Sequence, residues 1–410
     1  MGYIVEMGEL FLACNYKRER LAFVKGLGTR LFTEDGEEYL DFTAGIAVCN
    51  LGHCHPALIK VLKDQAEKLW HTSNLYYTEP QARLAKRLVE LTFGERVFFA
   101  NSGAEAVEAA LKLARRYAFE TFGEKKYKFI ALENSFHGRT YGALSVTGQP
   151  HYWEGFKPLL EGVIFVAPND EASLERAFNE EVCALILEPI QGEGGVYPLK
   201  REFLEKAKEL CNKHKALLIF DEIQTGIGRT GRLFAYEHFG IEPDILCTSK
   251  ALANGLPLSA IIAKNEIMQA LKPGTHASTF GGNPIASAVA LKVLELVSEK
   301  TFLEEVSLKG RILKEKIEKL DPDKKFIKEV RGEGLLIGIE FQQEAKYVYE
   351  RLLKHKILVT QPKPKIIRLT PPLIVSYREI DYFCNILSKI LNRREGDTPP
   401  FLKAYWFGAS

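Results

Sequence analysis

The sequence predicts an α/β protein in which a large domain with a mostly parallel central sheet is joined to a smaller α+β domain. Short apolar runs alternate with amphipathic helices between about residues 97 and 247. Runs of this kind indicate parallel strands that are buried on both faces. After Pro284 the order changes to two long helices, several short strands and a last helix. The 410 residues leave room for two or three domains.

Short strands are predicted near the N-terminus, and the turn Glu34–Gly36 joins two of them as a hairpin. Pro56 is placed to begin a helix. The predicted strands are Phe23–Lys25, Arg30–Phe32, Tyr39–Asp41, Val97–Phe99, Lys128–Leu132, Val163–Ala167, Cys183–Leu187, Ala216–Phe220, Ile245–Cys247, Gly334–Phe341, Leu358–Val359 and Ile366–Leu369. The further predicted helices are Ala104–Tyr117, Arg201–Lys213, Ala286–Glu299, Leu303–Leu320 and Ile380–Leu391.

These elements predict four segments of the chain. Residues 1–50 join the small domain, residues 51–285 form the large domain, residues 286–394 form the C-terminal small domain, and residues 395–410 are an extension. We expect the small domain to share its sheet with the N-terminal hairpin.

Composition restricts the possible partners and compartments. The net charge is only +2, from 55 basic and 53 acidic residues, so no general electrostatic field favours nucleic acid or an anionic membrane. No window of about 20 apolar residues predicts a membrane span. The seven cysteines are scattered, and the first residues do not resemble a secretory signal. We therefore expect a cytoplasmic protein with reduced thiols.

The first strand of the large domain is followed by the small residues of Asn101–Glu105, immediately before a helix. Exposed backbone N–H groups and the helix dipole would make this turn an anion site, most naturally for a phosphate. Ser102 and Glu105 also match a capping box, so an ordinary helix start is the alternative.

Two ionisable residues follow neighbouring apolar runs. Asp221 directly follows the run Ala216–Phe220. A carboxylate at the end of such a strand is removed from water, so it needs a cation or several hydrogen-bond donors. A protonated ring nitrogen of a cofactor would serve, and so would an Arg or Lys of the chain. Lys250 follows the next run, and a desolvated lysine there could act as a nucleophile.

Three further segments follow strands or carry little bulk. In Ser135–Thr140, Phe136 offers a flat face for stacking on a ring. The guanidinium of Arg139 can bind a carboxylate through two parallel hydrogen bonds. Gly192–Gly195 has a flexible backbone, and Thr275–Pro284 suits a loop laid against a ligand or a partner subunit.

Two patterns indicate other chemistry. Gly226–Gly231 fits the dinucleotide fingerprint G-x-G-x-x-G, but it does not directly follow a strand and no clean helix begins there. Cys49 and Cys54 alternate with His53 and His55, yet neighbouring ligands would strain closure around one zinc ion. We expect no metal site.

The anion turn, Ser135–Thr140, the DEIQ segment at Asp221, Lys250 and the STFGGNP loop at Ser278 occur together in one order. That order resembles the class III pyridoxal-phosphate aminotransferases, from about Val24 to about Leu391. The resemblance implies the fold-type I architecture, pyridoxal 5′-phosphate as cofactor, and a homodimer whose active site is shared across the interface.

The resemblance also implies roles for matching residues. Lys250 would hold the cofactor covalently and move the proton, while Asp221 would pair with the pyridinium nitrogen. The other implied cofactor contacts are Ser102, Gly103 and Ala104 with the phosphate, Phe136 and Ile223 with the two ring faces, Gln224 with the ring hydroxyl, and Thr279 from the second subunit.

The implied substrate contacts are Arg139 and Ser278 for the amino donor and Arg368 for the α-carboxylate of glutamate, with Glu193 neutralising Arg368 when no α-carboxylate is bound. Within the class, GIAVCNLGHCHP, EPIQGEGGV and GIGRTGRLFAY are most similar to members that transfer the δ-amino group of N2-acetylornithine to 2-oxoglutarate in arginine biosynthesis.

Some features leave the donor open. Ala251–Gly255 replaces the glycine-rich run expected after the lysine, and Tyr76 and Tyr77 could line the substrate entrance. Ornithine, 4-aminobutyrate, acetyllysine-type and succinyldiaminopimelate donors are alternatives with the same chemistry. An NAD-dependent oxidoreductase that uses Gly226–Gly231 and a binding protein without catalysis are alternatives from other classes.

Overall fold

The computed structural model describes residues 2–392, so the predicted 395–410 extension lies outside the described residues. The strands are β1 Phe23–Leu27, β2 Arg30–Thr33, β3 Glu38–Asp41, β4 Arg96–Ala100, β5 Lys128–Leu132, β6 Val163–Val166, β7 Val182–Leu187, β8 Ile190–Gln191, β9 Tyr197–Pro198, β10 Leu217–Asp221, β11 Ile245–Thr248, β12 Ser259–Ala263, β13 Ile327–Glu333, β14 Leu336–Phe341, β15 Ile357–Leu358, β16 Thr360–Lys363 and β17 Ile366–Leu369.

The α-helices are α1 Tyr3–Phe11, α2 Ala44–Ala47, α3 Pro56–Ala66, α4 Glu79–Glu90, α5 Gly103–Phe122, α6 Tyr141–Ser145, α7 Glu171–Ala177, α8 Arg201–His214, α9 Tyr236–Phe239, α10 Asn265–Met268, α11 Pro284–Val297, α12 Lys300–Glu318, α13 Lys346–Lys354 and α14 Tyr377–Leu391. The short α2 is a left-handed turn, because Gly45 and Ile46 both have positive φ. Within residues 2–392, none of the helices combines the length and apolar character that a membrane crossing needs.

A seven-stranded sheet in the order β4-β12-β11-β10-β7-β5-β6 forms the centre of the molecule. Strands β6, β5, β7, β10 and β11 are parallel, and β12 runs antiparallel to both of its neighbours. The predicted mostly parallel α/β sheet is therefore confirmed. Strand β12 is absent from the sequence prediction.

The sheet is buried on both faces, as its near-continuous apolar strands require. Alternate residues of β10 face two different cores: Phe220 lies in one, and Ile219 lies in the other. Helix α8 belongs to the first core and α5 to the second. The alanines of α5 allow that helix to lie close against the strands. This layering leaves the carboxyl ends of the strands as the place for a ligand.

The N-terminal strands do not join the main sheet of the C-terminal residues. Strands β1, β2 and β3 form a sheet with the short strand β15, which lies parallel to β3. Strands β13, β14, β17 and β16 form a separate antiparallel sheet. The small domain was expected to share its sheet with the N-terminal hairpin, and β15 is the one C-terminal strand of the described residues that joins that hairpin. The predicted strand at Gly334–Phe341 corresponds to β14, the second arm of a hairpin that begins with β13.

Helix α11 packs on α3 and α4 and contributes buried side chains to the core of the seven-stranded sheet. A third core lies between α12, α13, α14 and the β13–β17 region, and it includes Leu40 and Phe42 of the N-terminal segment. The domain limits at residues 50, 285 and 394 stay a prediction.

Candidate active site

Asp221 and Lys250 lie at the same edge of the sheet. Asp221 ends β10, and its register partner on the parallel neighbour β11 is Cys247. Lys250 comes two residues after β11 ends, where it begins a short 3₁₀ turn with a positive φ of 38°. Because β10 and β11 are adjacent and parallel, the sheet delivers both residues to one site.

The partner of Asp221 is a histidine. The Asp221 carboxylate lies 2.7 Å from Nδ1 of His137 and accepts a 3.0 Å hydrogen bond from the backbone N–H of Ile223. The backbone N–H of His137 donates to Thr147 Oγ1 at 2.9 Å. Both side chains are buried, and Nε2 of His137 has no hydrogen-bond partner among the described residues. The sequence predicted that the Asp221 carboxylate needs a cation or several hydrogen-bond donors. It left open whether a cofactor ring nitrogen or an Arg or Lys of the chain supplies them.

Burial lowers the pKa of the Lys250 amine, since a desolvated cation is disfavoured. The carboxylates of Glu193, Asp221 and Glu188 act in the opposite direction, and the cation of Arg368 adds to the lowering. Lys250 therefore lies within electrostatic reach of the other charged groups of this edge.

The turn before α5 is a capping box. Ser102 Oγ accepts a hydrogen bond from the N–H of Glu105, and the Glu105 carboxylate accepts one from the N–H of Ser102. The capping interpretation of Asn101–Glu105 therefore holds in the structure. The backbone N–H groups of Gly103 and Ala104 donate to no acceptor among the described residues. They remain free for an anion at the helix N-terminus.

Close contacts join this turn to the other predicted segments. A Cβ on Gly103 would lie 3.0 Å from Cγ2 of Ile223. A Cβ on Gly138 would lie 2.8 Å from Cβ of Ala104, and Gly138 has a φ of +133°. The Ser135–Thr140 and Asp221–Gln224 segments therefore meet at the N-terminus of α5.

A buried glutamate that the sequence analysis did not single out fixes two of these segments. Glu188 accepts hydrogen bonds from the N–H of Phe136 at 2.8 Å and the N–H of Gly192 at 3.0 Å. Burial raises the pKa of Glu188 to about 7. Its position directly after β7 was the available signal, because β7 ends at the same sheet edge as β10.

Glu193, Arg368 and Gln224 form one network. Arg368 on β17 is 1% exposed, and its guanidinium lies 2.6 Å from the Glu193 carboxylate. It also donates to Gln224 Oε1 and Thr360 Oγ1, each at 3.1 Å. Gln224 Nε2 donates to Glu193 at 3.3 Å. The predicted neutralisation of Arg368 by Glu193 thus has the required geometry.

Arg139, Ser278 and Thr279 lie further out. Arg139 is exposed and stacks on Tyr152, with its guanidinium carbon 3.6 Å from the ring centroid. Ser278 Oγ accepts a 3.2 Å hydrogen bond from Asn101, next to the α5 turn. Thr279 is exposed and borders a surface groove of about 990 Å³.

The glycines of Gly226–Gly231 serve packing. A Cβ on Gly228 would lie 2.6 Å from Val297 of α11, and one on Gly231 would lie 2.0 Å from Ser307 of α12. Arg229 within the motif is fully buried and donates to the carbonyls of Leu335 and Pro371. No helix N-terminus opens at this motif, so it lacks the phosphate site of a dinucleotide fold.

The Cys49–His55 segment also has a structural explanation. His53 Nε2 lies 2.7 Å from the Asp41 carboxylate. That contact comes first among the causes that raise the pKa of His53 to about 10. No group of three or more potential ligands that could hold a metal ion occurs in the part of the chain that the structure describes.

The edge therefore brings together a lysine, a buried Asp–His pair, a helix N-terminus and an Arg–Glu pair. A family model described as aminotransferase class-III matches residues 12–391. The chain belongs to the class-III aminotransferases, and it is a transaminase of that class.

Its similarity to particular members is high. The acetylornithine aminotransferase of Caldanaerobacter subterraneus is 48% identical over 383 residues, which cover 93% of this chain and 97% of that protein. A protein of Pseudomonas aeruginosa named succinylornithine transaminase/acetylornithine aminotransferase is 46% identical, covering 90% of this chain and 92% of that protein. The crystal structure of ornithine aminotransferase from Toxoplasma gondii has a TM-score of 0.91 and 35% identity, and the match covers 94% of each chain. This agreement confirms the predicted fold class.

Proposed function

We propose that this chain transfers the δ-amino group of N2-acetylornithine to 2-oxoglutarate, which gives N-acetylglutamate 5-semialdehyde and glutamate in arginine biosynthesis. The observation that carries the proposal is the placement of Lys250 beside the Asp221–His137 pair at neighbouring strand ends. The acetylornithine aminotransferase relative at 48% identity supports this donor.

The residues of the site fit pyridoxal 5′-phosphate. The N–H groups of Gly103 and Ala104 suit its phosphate, and a Cβ on Gly103 would press against Cγ2 of Ile223 at 3.0 Å. Phe136 and Ile223 would lie on the two faces of the ring, and Asp221 would pair with its nitrogen. Ser102 and Gln224 complete the proposed contacts, although Ser102 caps α5 and Gln224 bonds Glu193 and Arg368.

When bound, pyridoxal phosphate supplies an electron-accepting ring that stabilises negative charge on the substrate carbon. Lys250 Nζ would hold the cofactor covalently and then carry the proton that leaves the substrate carbon. Its lowered pKa favours a neutral amine that can accept this proton. His137 Nδ1 would hold the Asp221 carboxylate in position, and that carboxylate would keep the ring nitrogen protonated.

One pocket has to accept two different substrates. Arg139 and Ser278 would bind the amino donor, whose reacting end is an ω-amine without a carboxylate. While this donor is bound, the Glu193 carboxylate would neutralise Arg368. For glutamate or 2-oxoglutarate, Arg368 would leave Glu193 and bind the α-carboxylate.

We propose a homodimer in which Thr279 completes the partner's phosphate site. Leu75, Tyr77 and Phe280 are 85%, 100% and 59% exposed. The groove of about 990 Å³ beside Thr279 includes Leu75 and Tyr77 in its lining. A second copy of the chain would cover these apolar side chains, which are costly to leave in water.

A cytoplasmic location is also part of the proposal. All seven cysteines are free thiols, as expected of a protein in a reducing compartment.

A panel of amino donors tests the function. The purified holoenzyme is mixed with acetylornithine, ornithine, 4-aminobutyrate, acetyllysine or succinyldiaminopimelate without an oxo acid, and the absorbance of the bound cofactor is followed. We expect acetylornithine to react with the highest kcat/KM and 2-oxoglutarate to reverse the change. Ornithine is the second candidate because of the structural similarity to an ornithine aminotransferase. A higher kcat/KM for any other donor would contradict the proposed substrate.

A further inference from the structure

Residues 192–196, which we call the Glu193 turn, lie against one row of the C-terminal sheet. The row crosses three strands. Arg331 on β13 is the register partner of Gly338 on β14, and Gly338 is in turn the register partner of Arg368 on β17. Residues directly opposite one another in a sheet point to the same face. The two arginines are therefore presented on the same side of this sheet, with a glycine between them.

The two arginines contact different parts of the Glu193 turn. Arg368 binds its side chain, with the guanidinium 2.6 Å from the Glu193 carboxylate. Arg331 binds its backbone: Nη2 donates to the carbonyl of Gly195 at 2.9 Å, and Nε donates to the carbonyl of Val196 at 3.0 Å. Arg331 is 6% exposed, so these hydrogen bonds are shielded from water. One arginine therefore fixes where the turn lies, and the other holds the carboxylate that the turn carries.

Gly338 lets the Glu193 turn come close to the sheet. A Cβ on Gly338 would lie 3.0 Å from the carbonyl oxygen of Gly195 and 3.0 Å from Cβ of Val196. Both distances are shorter than an ordinary van der Waals contact. A larger residue at this position would therefore displace the turn from the sheet.

The Glu193 turn is held in place by its surroundings. Val196 has a φ of +58°, which β-branched residues rarely adopt. A residue persists in such a conformation when the structure around it determines it. Arg331 provides the contacts on one side, and Glu188 on the other accepts a 3.0 Å hydrogen bond from the N–H of Gly192. The position of Glu193 is thus set by contacts outside its own turn.

We propose that Arg331 is a positioning residue for dual substrate specificity, because it holds the backbone of the Glu193 turn and so keeps Glu193 within reach of Arg368. When the reacting end of the donor has no carboxylate, this positioning lets Glu193 neutralise Arg368. When glutamate is bound, the fixed backbone leaves the change of partners to the side chains of Glu193 and Arg368. This inference rests on the proposed function, since it concerns how the same pocket accepts both substrates.

The test measures both half-reactions of the Arg331→Met holoenzyme by stopped flow. Without Arg331 the Glu193 turn is loosened, so Arg368 would keep an uncompensated charge beside the ω-amine of acetylornithine. Glutamate would not be affected in this way, because its α-carboxylate supplies the negative charge. Since a hydrogen bond to a charged group is worth about 10- to 100-fold, the ratio of kcat/KM for acetylornithine to that for glutamate should fall by this factor.

Lys328→Met is the matched control. Lys328 and Arg331 both bind the Glu340 carboxylate, each at 2.6 Å. Lys328 donates its hydrogen bond to Glu340 and not to the Glu193 turn. We expect this control to keep the wild-type ratio, because it removes a cation from the same glutamate and leaves the turn in place. In Arg331→Met, Glu340 in turn keeps Lys328 as a partner.

Gly338→Ala is a second variant that displaces the Glu193 turn without a change of charge. It should lower the ratio in the same direction and by a smaller factor than Arg331→Met. Thermal unfolding of each variant shows whether it folds. If Arg331→Met does not fold, Gly338→Ala decides the question.

Four outcomes in the deciding variant would overturn the positioning role: an unchanged ratio, an equal loss in both half-reactions, a larger loss with glutamate, or an equal fall of the ratio in Lys328→Met. The equal loss would assign Arg331 to stability alone. Failure of the wild type with acetylornithine would instead refute the proposed donor, and the comparison would then use the ω-amine that the wild type accepts. The two failures are therefore distinguishable.

Discussion

Removing the charge of Arg368 should separate the two half-reactions. Arg368 is 1% exposed and lies 2.6 Å from Glu193, and we assign it to the α-carboxylate of glutamate. Truncating one partner of a buried charge pair costs about 2–5 kcal/mol. Since about 1.4 kcal/mol is a tenfold change, kcat/KM for the glutamate half-reaction should fall by about 30-fold to several thousand-fold.

The single variant would leave Glu193 as an unpaired carboxylate. We therefore compare Arg368→Met with the double variant Arg368→Met/Glu193→Gln, which removes both charges together. In the double variant, the acetylornithine half-reaction should lose less than about tenfold, because that donor presents no α-carboxylate to Arg368. The glutamate half-reaction should stay as slow as in the single variant.

Stopped-flow measurements of the two half-reactions give both constants for each variant, and thermal unfolding shows whether the variants fold. Equal losses in the two half-reactions of the double variant would refute the assigned role of Arg368. A glutamate half-reaction at the wild-type rate would refute it as well.

Two further predictions concern stability. Gly138→Ala should lower the free energy of unfolding by about 1–3 kcal/mol, because φ is +133° and the new Cβ would lie 2.8 Å from Cβ of Ala104. Urea unfolding should show a smaller loss for Gly155→Ala, where φ is also positive but no atom lies within 4 Å; equal losses would contradict the contact. The hydrogen bond to Asp41 raises the pKa of His53 from 6.5 to about 10, so its stabilising effect is full below about pH 6.5 and is lost as the pH rises through about 10. The difference in unfolding free energy between the wild type and His53→Gln should shrink over that range, and a difference that grows would contradict this assignment.

The parallel sheet could be predicted because its strands are short, apolar and separated by helices. Strand Lys128–Leu132 was predicted with its observed limits. Strand β12 was missed since its run, Ser259–Ala263, follows the Lys250 turn without a helix between them. An antiparallel strand at that place breaks the alternation on which the prediction depended.

Pairing between distant segments could not be predicted from local pattern. The two-residue strand β15 overlaps the predicted strand Leu358–Val359, but its parallel pairing with β3, more than 300 residues earlier, has no local signal. Helix α11 was assigned to the small domain by its position after Pro284, and that limit stays a prediction. Its contacts could not be predicted in the same way: its buried side chains contribute to the core of the large sheet, and it packs on α3 and α4.

For the candidate site, the ends of the predicted strands indicated where the residues lie, but the sequence did not indicate which side chains contact one another. The apolar runs before Asp221 and Lys250 placed both residues at one edge. That His137 is the partner of Asp221 depends on how the Ser135–Thr140 segment folds over the sheet. Glu188 was missed although it directly follows the predicted strand Cys183–Leu187, a position equivalent to that of Asp221 after its own strand.

The most direct test of the account is where the cofactor attaches. Holoenzyme reduced with borohydride should yield one proteolytic peptide that carries the pyridoxyl group, and fragmentation should place the group on Lys250. The Lys250→Ala variant should fold, give no such peptide and lack transaminase turnover. A modified peptide containing a different lysine, or wild-type turnover in Lys250→Ala, would contradict the central claim that this amine performs the chemistry opposite Asp221.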